Sequence, residues 1–481
     1  MMKKNKTIVV LLLFISFSYI SCDDYLDEVP DDRQEIKTLE NLSELLVSGY
    51  SEASYNFIEW KTDNAVAIPD NDQRNELTEN FQFVPVVSSE EQDTPGYFWT
   101  NTYNAIAHAN QVLAEIENVE NTDNALKMAV KGEALFIRAY NHFMLANIFC
   151  QQYSPSNASG LGIPYILAPE TALQVNYERG TLQETYDLIE ADLIAGLPLV
   201  SNDYYKGSGK YHFNKNAANA FASRFYLFIG KYQKSIDYAN KILGEGVISS
   251  NFMKDMAAIY TGTSSSAIAA QFYDVYAPSN LLVVRKETAF VTRYYRGYGT
   301  NRAVANEIFN TVIQGGGTDE RNFLYGYSSG ALAPPKYAEL FRYTTSTTGY
   351  PYYIQPELRS EEVIFNRMES NVRLNKLEEA LKDYNALAPS RYSNGGQLTI
   401  ADITPYFEGT EQEAMLEFVY FERRKEFLRE GLRWFDIKRF EKPITHIDIK
   451  GDEFKLLETD LKKAIQIPAG ALAQGIEANP R

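Results

Sequence analysis

Glu422-Arg423-Arg424-Lys425-Glu426-Phe427 and, after Leu428-Arg429, Glu430-Gly431-Leu432-Arg433-Trp434-Phe435-Asp436-Ile437-Lys438-Arg439 form the most distinctive stretch of the chain. It interleaves apolar anchors (Phe427, Leu432, Trp434, Phe435, Ile437) with charges of both signs. Apolar side chains of this size belong in a core. Arg423 and Arg433 are spaced to pair with Glu426 and Asp436, or to hold carbonyls at helix ends. The block reads as scaffold, and the ligand-binding residues are to be sought elsewhere.

Upstream of it, two segments repeat one design. Phe225 to Leu243 contains Gly230, then Tyr232, Ile236, Ala239 and Ile242. Arg373 to Pro389 has Asn375 where the first has Gly230, Leu377 for Tyr232, Ala380 for Ser235 and Leu381 for Ile236. Gly or Asn at such a junction suits a left-handed residue closing one helix, and a small residue after it lets the second helix pack close. The pattern is similar to the tetratricopeptide repeat, a helix hairpin of about 34 residues. Copies so far apart predict a helical scaffold with long insertions, not a continuous solenoid. Other amphipathic runs agree. Tyr97 to Asn118 carries Tyr103, Ile106, Asn110 and Leu113, and residues 123–149 carry Leu126, Val130, Ile137, Tyr140, Met144 and Ile148. Thr181-Leu182-Gln183-Glu184 is a capping box, opening a helix that buries Leu182, Ile189 and Leu193 and stops before Pro198. The expected fold is mainly α, a tetratricopeptide-like helix-hairpin scaffold with loop-rich insertions and a few short strands.

Residues 60–96, 150–178, 245–360 and 390–410 are rich in Gly, Ser, Thr, Pro and aromatics. Long irregular segments within one body are usually functional. Those at 60–96 and 245–360 are the expected ligand face, with short strands near Ala267–Phe272 and Leu281–Val284. No Pro/Gly/Ser-rich linker divides the chain, so residues 38–481 are expected to form one body.

The start of the chain carries Lys3, Lys4 and Lys6, an apolar run from Ile8 to Ile20, and Ser21 before Cys22. This order describes a secretory signal. The run of about 13 residues falls short of the roughly 20 that span a bilayer. A cysteine just after the cleavage point adds the lipoprotein reading, although Tyr19 stands where such signals prefer Leu. Residues 1–21 are thus the expected signal peptide, Cys22 the lipidation site and 22–37 an acidic tether. Several acyl chains, at about 0.8 kcal/mol per buried CH₂, hold firmly.

The formal charge is −17; three lysines and no acid leave with residues 1–21, taking it to about −20. Nucleic acid, which needs clustered Lys and Arg, is an unfavourable partner. With Cys22 lipidated, Cys150 is the only remaining thiol, and no intramolecular disulfide is expected. The four histidines, His108, His142, His212 and His446, show no zinc-helix spacing, and there is no phosphate loop or dinucleotide fingerprint, so no cofactor is expected. Asp70-Asn71-Asp72 lacks the Gly and distal Glu of a calcium loop. Gly326-Tyr327-Ser328-Ser329-Gly330 fits Gly-x-Ser-x-Gly, but Pro334-Pro335 soon follow, where a nucleophile elbow requires a helix. Thirty-four tyrosines stand out, each pairing a flat apolar face with a polar tip.

Further motifs place the opening block in an ordered series: Glu133-Ala134-Leu135-Phe136-Ile137-Arg138-Ala139-Tyr140, Gly162-Ile163-Pro164, Arg179-Gly180-Thr181 with Asp192-Leu193, Lys215 with Ala217-Ala218, Ile467-Pro468 and Ala478-Asn479-Pro480. Over nearly the whole mature chain this set resembles the SusD/RagB family of Bacteroidetes nutrient-uptake lipoproteins. The resemblance implies four tetratricopeptide-like units, a loop-rich ligand face, an outer-membrane anchor usually facing outward, and no catalysis. It implies a SusC-like TonB-dependent transporter as partner, with this protein as its lid. An oligosaccharide is the expected ligand, a peptide the alternative as in RagB-like relatives, and a surface hydrolase the remote one. Sugar rings stack their C–H faces on aromatics while their hydroxyls take Asn, Asp and Arg. The candidate contacts are Trp60 with Asp63 and Asn64; Tyr97 and Trp99 with Asn101; and Tyr294, Tyr295 and Tyr298 with Arg293 and Arg296.

Overall fold

A computed structural model describes residues 36–481 except 70–73, 86–88, 121–122, 171–174, 206, 208, 261–263, 294–296, 312 and 314–316; the side chains of 292 and 293 are also outside the description. Cys22, Tyr294, Tyr295, Arg296 and Asp70-Asn71-Asp72 therefore lie outside the described residues.

Helices dominate. After α1 (Leu39–Val47) come α2 (Pro95–Glu115), α3 (Asn124–Phe149), α4 (Leu182–Gly196), α5 (Lys215–Phe228), α6 (Tyr232–Leu243), α7 (Ser360–Arg373), α8 (Leu377–Leu387), α9 (Glu411–Glu426) and α10 (Leu432–Arg439). α2 packs on α3, α5 on α6, α7 on α8 and α9 on α10, while α4 lies against α3 and α7 bridges α6 and α9. Four helix pairs thus form the tetratricopeptide-like scaffold.

The two hairpins close as their junction residues require. Gly230 has φ +72° and Asn375 φ +58°. At the first, Lys231 N–H donates to the Tyr226 carbonyl and Gly230 N–H to that of Leu227; at the second, Lys376 donates to Asn371 and Asn375 to Val372. These are twin Schellman closures, each satisfying carbonyls a helix end would leave bare. Ser235, buried in the first hairpin, donates its hydroxyl to the Ser223 carbonyl 2.9 Å away. The capping box at Thr181 and Glu184 forms in full, and α4 ends at Gly196, ahead of Pro198.

The insertions add small sheets. β1 (Val66–Ala67) pairs with β3 (Tyr298–Gly299). β2 (Asn280–Glu287), β4 (Leu340–Tyr343) and β5 (Gly349–Arg359) form an antiparallel sheet in the order β2-β5-β4. The strand expected around Leu281–Val284 lies within β2. The one expected at Ala267–Phe272 is instead helical, within Ser265–Phe272, because the Ser264 hydroxyl accepts the Ala267 N–H as an N-cap. Ser328 sits in a hairpin turn, where Tyr325–Gly326 pairs with Leu332–Ala333, and no helix follows it promptly.

The opening block is scaffold, with one change of partner. Trp434 is fully buried, and Arg423 pairs with Asp436 at 2.9 Å. Arg433 does not pair with Asp436; it grips Asp63 with two bonds of 2.9 and 2.7 Å. Glu426 faces away from Arg423, toward Arg359 and Arg391, in a buried cluster with Arg321, Lys336, Glu361, Glu422 and Glu430. Among the described residues no helix is long and apolar enough to cross a membrane.

Candidate functional site

The two insertions meet. β1 from the first pairs with β3 from the second. Asp93, just before α2, accepts from the Ala289 N–H at 3.0 Å and from the Thr288 hydroxyl. Thr288 N–H in turn donates to the Pro351 carbonyl on β5. The end of the first insertion, the exit of β2 and the β4–β5 hairpin are therefore latched together. The helical turn Phe290–Arg293, which leads into the 294–296 stretch, starts from this junction.

One face of the sheet follows from strand register. Paired residues of antiparallel strands share a face, and so do alternate residues along a strand. Glu287 pairs with Tyr352, and Arg342 with Tyr350, so these four share a face with Arg285. Tyr350 is 47% exposed and Tyr352 half-buried. Arg342 forms an ion pair with Glu287, and Arg285 one with Glu52. The Arg285 guanidinium lies 5.8 Å from the centre of the Tyr352 ring, in the range of a cation–π contact. Tyr97 reaches this face from the first turn of α2 and donates its hydroxyl to Glu287 at 3.0 Å. Burial first, then the Glu287 carboxylate, raise the Tyr97 pKa well above its ordinary value, so its hydroxyl stays protonated. Beyond the body, at the hairpin end, Phe341 and Tyr343 are exposed with rings 4.7 Å apart. Open aromatic faces beside oriented carboxylates and guanidiniums are what a hydroxyl-rich ligand with apolar C–H faces requires.

The sequence candidates divide against this geometry. Tyr97 joins the face; Asn101 lies one turn on and donates to the Tyr97 carbonyl at 2.9 Å. Trp99 does not join them. Two residues along a helix turn it about 200°, so Trp99 looks the other way, 4.9 Å from Tyr103 and edge-on to Phe149. Trp60 is fully buried against Phe290, with no ring face left for a ligand. Asn64 is buried and accepts from Arg424 at 2.9 Å. Burial opposes ionisation of Asp63, but Arg433 and Arg424 outweigh it and hold its carboxyl well below the usual range. Trp60, Asp63 and Asn64 thus tie the first insertion to the α9–α10 block. Tyr298 is buried, stacked 4.4 Å from Phe81 and donating to the Thr78 hydroxyl. Arg293 has its backbone in the turn described above.

Arg285, Glu287, Arg342, Tyr350 and Tyr352 were not sequence candidates. Gly349-Tyr350-Pro351-Tyr352-Tyr353-Ile354 after the polar run Thr344–Thr348 does carry a strand-and-turn signal. Pairing with β2 is what brings Glu287 and Arg285 to it.

Comparison with known proteins agrees with the architecture. Residues 24–227 match a family described as "Starch-binding associating with outer membrane", and residues 171–469 match the SusD family. A SusD-like protein of Formosa agariphila is 23% identical, with 92% of this chain and 93% of that one aligned. A SusD superfamily protein of Bacteroides thetaiotaomicron shares the fold at TM-score 0.69 and 17% identity, covering 92% of this chain and 100% of its own. A laminarin-binding SusD-like protein does so at TM-score 0.64 and 16% identity, over 92% and 99%. With more than half of its length matched by that family's model, and with the helix pairs and insertions described above, the chain belongs to the SusD family.

Proposed function

We propose that this protein is an outer-membrane lipoprotein that binds an oligosaccharide at the cell surface and passes it to a SusC-like TonB-dependent transporter, over which it acts as a lid. Membership of the SusD family supports glycan binding. The observation that carries the reading to particular residues is the sheet face, where the rings of Tyr350 and Tyr352 stand beside Arg342, Glu287 and Tyr97. Tyr294 and Tyr295 are proposed as further ligand contacts.

Replacing both Tyr350 and Tyr352 by Ala removes two stacking platforms. Each is worth about 0.5–1.5 kcal/mol beyond its buried area. The affinity for the oligosaccharide picked out by a glycan array is expected to fall at least about tenfold, or 1.4 kcal/mol, with little change in Tm because Tyr350 is half exposed. Calorimetry with the double variant decides the matter: an unchanged affinity places the ligand elsewhere. An array that answers only to peptides would replace the ligand class.

The anchor belongs to the same proposal: residues 1–21 as signal peptide, lipid on Cys22, 22–37 as a tether and 38–481 as the lid. Cys22→Ser is expected to abolish incorporation of labelled palmitate and to release the protein from the membrane fraction. Label retained in that variant would exclude Cys22 as the anchor.

A further inference from the structure

Along α2 lies a cleft of about 520 Å³, within the roughly 300–1,000 Å³ of small-molecule sites. α2 supplies one wall, the segment around Pro164–Glu170 with Tyr177 another, and the C-terminal stretch at Ala471–Ile476 the third. Tyr103 presents a half-buried ring within it, and Trp99 contributes an edge. The Tyr103 hydroxyl is already spent on the Pro164 carbonyl at 2.8 Å, which leaves its ring as the useful surface. The polar lining is different in kind. The side chains of Asn104, His108 and Gln474 line the cleft and make no hydrogen bond among the described residues. Each offers donor or acceptor capacity without a fixed charge. Burial lowers the His108 pKa, which keeps its ring neutral at pH 7. Among the described lining residues the one carboxylate, Glu170, is held by the Tyr177 hydroxyl.

We infer that this cleft is a second binding site, separate from the sheet face, for a neutral di- or trisaccharide. The Tyr103 ring suits the C–H face of a sugar ring. Uncharged amide and imidazole groups suit its hydroxyls, and among the described lining residues no lysine or arginine invites an anionic ligand. A groove built only for an apolar segment would leave Asn104, His108 and Gln474 desolvated without partners. The inference does not rest on the sheet face being a glycan site, because the two surfaces share no residue.

The chain's tryptophans make the test selective. Of the three, Trp60 and Trp434 are fully enclosed, and only Trp99 keeps an accessible edge, 8% exposed. Titration of the lipid-free mature protein with maltotriose, cellotriose and laminaritriose is expected to give a saturable change in tryptophan fluorescence with at least one of them at millimolar concentration. Asn104→Ala with His108→Ala, at exposed and half-buried positions where folding is not at stake, is expected to weaken that binding at least tenfold. The Tyr350→Ala, Tyr352→Ala double variant is expected to retain it, so failure at one surface is distinguishable from failure at the other. No saturable change with any of the three sugars overturns the inference. So does a change that survives Asn104→Ala, His108→Ala, or one produced by short peptides and not by sugars.

Discussion

Glu426→Gln is expected to destabilise the protein by about 3–5 kcal/mol, the loss typical when one partner of a buried ion pair is neutralised. The Glu426 carboxylate accepts from Arg359 at 2.7 Å, from Arg391 at 2.7 and 2.8 Å and from Arg321 at 3.4 Å. All four side chains are almost wholly excluded from water. Gln keeps the shape and loses the charge, so three buried guanidiniums lose their shared counter-ion. The same cluster sets the acid response. Burial opposes ionisation of Glu361 and Glu422, but Lys254, Arg359 and Arg391 around the first, and Lys425 and Arg321 around the second, outweigh it and bring each to about 2. Folded pKa values below the unfolded 4.5 mean that this stabilisation is fully present above about pH 4.5 and is lost as the pH falls toward 2. Denaturant unfolding at pH 7 measures the first effect, and Tm between pH 5 and pH 2 the second. A loss under about 1 kcal/mol at pH 7 would show that the cations repartner within the cluster.

Gly431→Ala is the second large effect, expected at about 2–5 kcal/mol. Gly431 holds φ +78° as the chain turns from Glu430 into α10, and its N–H donates to Glu59 at 3.0 Å. A Cβ there would sit 2.7 Å from the Tyr55 ring and 2.8 Å from Asn56 Oδ1. Both neighbours are buried and have nowhere to move. The left-handed backbone costs a non-glycine residue about 1–2 kcal/mol, and overpacking adds about 1–3. Gly230 separates the two contributions. It too is left-handed, at φ +72° in its Schellman closure, and nothing lies nearer than 3.8 Å to its would-be Cβ, so Gly230→Ala should lose only about 1–2 kcal/mol. Equal losses in the two variants, read as denaturation midpoints, would remove the steric argument.

The scaffold is legible in the sequence where the cause is local. Gly230 and Asn375 mark hairpin junctions because few residues take positive φ cheaply, and that preference needs no knowledge of the rest of the chain. Thr181 and Glu184 cap α4 through groups three residues apart. The scaffold is ambiguous in the sequence where a local pattern has two solutions. Ala267–Phe272 has the apolar content of a strand, and Ser264 as N-cap tipped it to helix. Arg433 stands one turn from Asp436, yet Asp63 offers its guanidinium a two-bond grip from the other end of the chain.

The candidate site was legible only in part, for the same reason. Residue type identified Trp60, Tyr97 and Trp99 as aromatics near polar partners, but type does not say which faces stay wet. Phe290 closes over Trp60 from the second insertion. One helix sends Tyr97 to the sheet face and Trp99 to the cleft, because 3.6 residues per turn set positions two apart on opposite sides. By itself, then, the sequence determined the helix pairs, their junctions and the scaffold role of the Glu422–Arg439 block, all governed by periodicity and short-range hydrogen bonding. The tertiary structure decided the two surfaces. Each is assembled from segments far apart in the chain, and the exposure of an aromatic ring depends on what those segments bury when they meet.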